Sequence, residues 1–106
     1  MFKHQGDISF TKLSQRPTGG KVIAHNGSFI LARGEHTGHK HVIATDEPDS
    51  MTIERFSDGL AITITKPTTV THEQHGAIML TPGTWQVGNE REIDWFAEGI
   101  ERKVID

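Results

Sequence analysis

Apolar and polar residues alternate along most of this chain in short runs, the period-2 pattern of strands that bury one face. Leu60, Ile62 and Ile64 fall on one face, and Ala61, Thr63 and Thr65 on the other. Met51-Thr52-Ile53-Glu54-Arg55-Phe56 opens with the same alternation. Ser57-Asp58-Gly59 between these runs predicts a hairpin loop, with Gly59 free to take positive φ. Further strands are predicted over Asp7–Leu13, Lys21–His25, Ser28–Arg33, His39–Thr45, Thr69–His72, Ala77–Leu80, Thr84–Val87, Glu92–Phe96 and Arg102–Ile105. Asn26-Gly27 reads as a hairpin turn and Thr81-Pro82-Gly83-Thr84 as a second turn. Asp46 to Ser50 reads as loop. No segment sustains a 3.6-residue apolar period with caps, and Trp95 to Gly99 allows one helical turn at most. Many short strands at close spacing predict one all-β domain over residues 1–106, a small β-barrel or β-sandwich of short antiparallel strands.

Composition narrows the function classes. A chain of 106 residues suits one domain. No apolar run approaches the roughly 18 residues that a membrane span needs, and the first residues lack the apolar core of a secretory signal. Cysteine is absent, which excludes disulfides and thiolate metal sites. A soluble, cytoplasmic protein is therefore expected, with no membrane partner. Net charge is -3, and the 11 basic residues are scattered without a run. Nucleic-acid binding needs a basic patch that displaces counterions from phosphates, so no nucleic-acid partner is expected. Exposed strand edges in so small a β domain predict pairing into a homodimer.

Candidate chemistry is concentrated in two histidine motifs, Gly34-Glu35-His36-Thr37-Gly38-His39-Lys40-His41 and His72-Glu73-Gln74-His75, which hold five of the seven histidines. Neutral imidazole is the commonest protein ligand for transition metals. His39 and His41 are two apart, so on a strand both point to one face. His72 and His75 are three apart and converge only if the chain turns near Glu73-Gln74, which Gly76 permits. His39, His41, His72 and His75 are therefore the candidate metal ligands, with Glu35, His36 and Glu73 as further ligands or as carboxylate and imidazole partners behind them. A ligand set of nitrogens with carboxylate suits a divalent transition metal: zinc, iron, nickel, copper or manganese. If the centre is open to water, Glu73 and Glu35 are the candidate general bases. Two other readings compete. The histidines could line a dimer contact or a closed structural zinc in a non-enzymatic assembly module, or donate hydrogen bonds to a small-molecule ligand such as a sugar or small acid.

Other features have simpler readings. Trp85 alternates with Val87 and reads as a core anchor. His4 and His25 have no partner pattern and read as structural or surface residues. Arg16-Pro17-Thr18-Gly19-Gly20-Lys21 lacks the spacing and following helix of a phosphate loop. Arg91 and Trp95 read as parts of an edge strand with cross-strand ion pairs.

A glycine followed by H-x-H, then a later Pro-Gly turn in an all-β chain, resembles the cupin superfamily, small β-barrels that hold a metal on histidines and a glutamate. The likeness reaches His39 and His41. Glu47 comes late for the cupin glutamate, and no histidine follows Pro82-Gly83. A fuller resemblance is to a family of small bacterial and phage-associated proteins with the order G-E-x-T-G-H-x-H, H-E-x-H, P-G-x-[YW]-x-V, R-E-[YI] and V-x-D. Here these are Gly34 to His41, His72 to His75, Pro82 to Val87, Arg91 to Ile93 and Val104 to Asp106. That resemblance implies that both histidine motifs serve one feature, and it names no substrate.

Overall fold

A computed structural model describes residues 1–33 and 39–89. Within them the chain runs β1 (Phe2–Gln5), β2 (Ile8–Leu13), β3 (Lys21–Ile23), β4 (Ser28–Arg33), β5 (Lys40–Ala44), a 3₁₀ turn (Pro48–Ser50), β6 (Met51–Phe56), β7 (Gly59–Ile64), β8 (Thr68–Thr71), β9 (Ile78–Leu80) and β10 (Gly83–Asn89). One sheet has the order β1-β2-β10-β7-β6-β3 and the other β4-β5-β8-β9. Every pairing is antiparallel. No ladder joins the two sheets among the described residues. The all-β expectation therefore resolves as two sheets packed on a shared core, the sandwich form of the two architectures expected.

Alternation decides what that core contains. Trp85 pairs with Lys12 and Ile62, and Ile62 with Ile53, so Trp85, Ile62 and Ile53 share the inner face of the six-stranded sheet. Phe29, Ile43, Val70 and Ile78 form the facing row of the four-stranded sheet. Phe10, Trp85, Ile53, Ile62, Ile43 and Val70 are fully buried. Each such side chain contributes about 1.5–3 kcal/mol through removal of apolar surface from water. Trp85 is the core anchor expected, and its indole N–H donates to Thr81 O at 2.8 Å.

The strands joined by Ser57 and Asp58 form the expected hairpin, with Phe56 opposite Gly59. Asn26-Gly27 behaves otherwise. It does not close a hairpin: β3 pairs with β6 in one sheet and β4 with β5 in the other. The pair is a corner between layers, fixed by Thr45 N–H donating to Gly27 O at 2.7 Å. His25 holds the same corner, with Gly27 N–H donating to its Nδ1 and its Nε2–H donating to Met51 O. A Cβ on Gly27 would lie 2.7 Å from Thr45 O, so glycine is required there for space as well as for its φ of 105°. The segment Asp46 to Ser50, expected as loop, closes into the 3₁₀ turn through Ser50 N–H to Glu47 O.

β1 is a strand that periodicity did not mark. Its one large apolar residue, Phe2, is 55% exposed and its buried residue is Gln5, so the segment has no buried apolar face to produce alternation. The strands expected over Glu92–Phe96 and Arg102–Ile105, and the turn at Trp95, lie outside the described residues.

The core arrangement sets a stability expectation. Ile62→Ala empties a fully buried position and should cost about 2–5 kcal/mol. Met79→Ala, at a side chain 54% exposed, should leave the urea midpoint nearly unchanged. Equal midpoint shifts in the two variants would contradict this packing.

Candidate functional site

One end of the sandwich carries a cluster of polar side chains, among them the buried Gln5 and His41. Alternation along β5 puts His41 on the same face as Ile43, and His41 is 3% exposed. His39 precedes β5, and His72 follows β8 two residues after the buried Val70. The Gly6-Asp7 turn between β1 and β2 brings the other sheet to the same place. The histidine rings are in mutual contact. His72 lies 4.3 Å from His41, 4.6 Å from His75 and 5.7 Å from His39 between ring centres, and His41 and His75 are 6.5 Å apart and nearly parallel.

The proton positions follow from hydrogen-bond chemistry. Gln5, 3% exposed, donates its amide N–H groups to Val70 O at 3.0 Å and Gly76 O at 2.8 Å. Carbonyls only accept, so the amide NH2 must face them, and Oε1 is left facing His41 Nδ1 at 2.8 Å. His41 Nδ1 therefore carries a hydrogen and donates it, and in the neutral ring Nε2 bears the lone pair. His72 has the opposite tautomer. Its Nδ1 accepts the N–H groups of Gln74 at 3.0 Å and His75 at 3.3 Å, which leaves the ring hydrogen on Nε2. These two bonds form the turn that brings His75 back over the site.

Glu73 fixes that turn from outside. Its carboxylate accepts the Lys40 N–H at 2.9 Å, tying the second motif to the start of β5. This bond, with a second from its own backbone, holds the exposed carboxyl below the usual glutamate range, which makes it a weaker base.

Gly6 allows the hairpin turn to approach the rings. Its φ is 62°, and a Cβ there would lie 2.8 Å from His75 Cδ2 and Nε2 and 3.3 Å from His41 Cε1. Beside it, Asp7 Oδ1 stands 3.6 Å from His41 Nε2. Burial holds the His41 imidazole below the usual histidine range; the neighbouring His72 and His75 add to this, and the Asp7 carboxylate opposes it. A neutral His41 thus presents its lone pair toward a carboxylate oxygen. Two acceptors facing each other gain from a cation between them. An ion about 2.0–2.1 Å from each atom would span a 3.6 Å separation at an angle of roughly 120°.

All four histidines expected as ligands therefore lie in one cluster, carried by β5, the β8 end and the turn after it. Among the described residues, no three histidine or acidic side chains already stand in metal-holding geometry. Glu35 and His36 lie outside the described residues. Sequence reasoning missed Gln5 and Asp7. Gly6-Asp7 is itself a two-residue hairpin signal of the Gly-Asp type that marks the β1–β2 turn, with Gln5 just before it.

Residues 4–90 match the family model described as Domain of unknown function (DUF8820). No curated protein and no solved structure matches the chain.

The lowered His41 value sets an acid response. The unfolded chain takes up a proton near the ordinary histidine value of about 6.5, before folded His41 does. Stability from this group is intact above that pH and is lost as pH falls toward the lower folded value. Urea unfolding of chelator-treated protein should show this decline, and His41→Gln should make it shallower. An unchanged pH profile in His41→Gln would contradict the assignment.

Proposed function

The chain belongs to the DUF8820 family of domains of unknown function, and from its geometry we propose that it is a metal-binding protein whose centre is built on His41. The observation that carries this reading is the approach of His41 Nε2 to Asp7 Oδ1 at 3.6 Å. Gln5 strengthens it. A ligand histidine commonly donates its other ring N–H to an oxygen acceptor, which fixes the tautomer and the ring orientation. His41 and Asp7 supply the first two ligands. A ring rotation of His75, exposed above Gly6, supplies a third, with His39 next in reach.

His72 joins last. Ligation through Nε2 of a neutral ring needs the hydrogen on Nδ1, which breaks the bonds from Gln74 and His75, each worth about 0.5–1.5 kcal/mol. The nitrogen and carboxylate set suits zinc, iron, nickel, copper or manganese. His75 is exposed and Asp7 half-buried, so an ion held there keeps positions for water. That favours a centre able to polarise a substrate or activate water over a closed structural site.

The test is a titration of tag-free, chelator-stripped protein with each of the five metals, read by elemental mass spectrometry and by competition with a chromophoric chelator. One ion per chain is expected for at least one metal. His41→Ala and Asp7→Asn should each weaken it about tenfold or more, and His72→Ala less than either. Folded protein that binds none of the metals, or binding that survives His41→Ala unchanged, would overturn the proposal.

A further inference from the structure

A second site lies away from the histidines. The register carries a row across the inner face of the six-stranded sheet: Phe10 pairs with Val87, Val87 with Leu60, and Leu60 with Arg55. Alternation along β6 places Arg55 on the same face as Met51 and Ile53, both buried. Arg55 thus puts a cation where a sandwich ordinarily places an apolar residue, and Lys21 of β3 pairs with it on the far side. A cavity of about 360 Å³ opens there, between this row and β4. Leu60 and Val87 form its apolar floor, Phe29 and Leu31 its wall, and Arg55 and Asp58 sit at its polar rim. His41 does not line it.

Two details favour an open cavity here. The β4–β5 register shifts between Ile30 and Ala32, a bulge that takes Leu31 out of the ladder at the cavity wall. Neither Arg55 nor Asp58 has an ion-pair partner among the described residues. Arginine presents a planar fork of donors matched to a carboxylate. The volume lies near the lower end of the roughly 300–1,000 Å³ range of small-molecule sites.

We propose that this cavity binds a small apolar molecule carrying one carboxylate, its hydrocarbon part against Leu60, Val87 and Phe29 and its carboxylate on Arg55. Arg55 supplies the attraction, and the apolar floor selects against small hydrophilic anions. Asp58 shares the rim and opposes an anion, so it moderates affinity. The site is independent of the metal proposal and stands or falls separately.

The test uses the full chain and three eight-carbon probes: octanoate, octanol and octylamine. Leu60 and Val87 methyl resonances report occupancy by NMR. Octanoate should shift both saturably, with octanol and octylamine weaker by about tenfold or more. Arg55→Gln, at an exposed position, should leave the urea midpoint nearly unchanged and reduce octanoate to the level of octanol. Asp58→Asn should tighten octanoate. Absence of saturable shifts, equal binding of the three probes, or octanoate binding unchanged in Arg55→Gln would each overturn the proposal.

Discussion

A single buried amide governs the polar end of this molecule. Gln5 comes from the edge strand of the six-stranded sheet, and all three of its hydrogen bonds reach elements of the other side: Val70 in β8, Gly76 in the following loop and His41 in β5. Nothing else about the amide is adjustable, because two partners accept and the third must donate. A buried amide deprived of these partners would cost about 1–3 kcal/mol, so the bond set holds the two sheets in one relation at this end. It also decides which nitrogen of His41 bears the lone pair. The rest of the site inherits that decision.

The opposing demands on His41 give the site its character. Burial and two neighbouring imidazoles disfavour its protonation, while the Asp7 carboxylate favours positive charge near Nε2. On the proposed reading, a metal ion would meet these demands better than a proton, since it needs the neutral ring that burial favours. Gly6 is what makes the approach available. A side chain there would displace the His75 ring and crowd that of His41, on top of the strain of a φ of 62°. His72 serves the same arrangement differently, by folding the loop so that His75 returns over the turn.

Much of the fold was legible from alternation because most strands bury one face and expose the other. Met51–Phe56 is legible to the residue for that reason, and Ser28–Arg33, a continuous apolar run from Phe29 to Ala32, by its place after Asn26-Gly27. β1 escaped because it buries Gln5 and exposes Phe2, the reverse of the pattern that marks a strand. Asn26-Gly27 misled because a turn signal specifies local backbone, and only the sheet pairing decides whether the strands beside it stay together. The proximity of the two histidine motifs was inferable from their number and spacing. Gln5 and Asp7 carry no ligand motif, and the Gly6-Asp7 turn signal beside them specifies backbone alone. Their meaning appears only when β1 and β2 bring them against β5. Glu73 illustrates the converse. It stood out beside two histidines, and the structure gives its carboxylate to a backbone N–H of β5.

The role of Gln5 can be read from the tautomeric state of the histidines in metal-free protein at neutral pH, by long-range ¹⁵N–¹H correlation of the imidazole rings. Opposite patterns are expected in two rings a few ångströms apart: hydrogen on Nδ1 in His41 and on Nε2 in His72. Gln5→Leu should abolish the preference in His41 and leave that of His72 in place. A His41 ring protonated on Nε2, or a His41 tautomer indifferent to Gln5, would contradict that role.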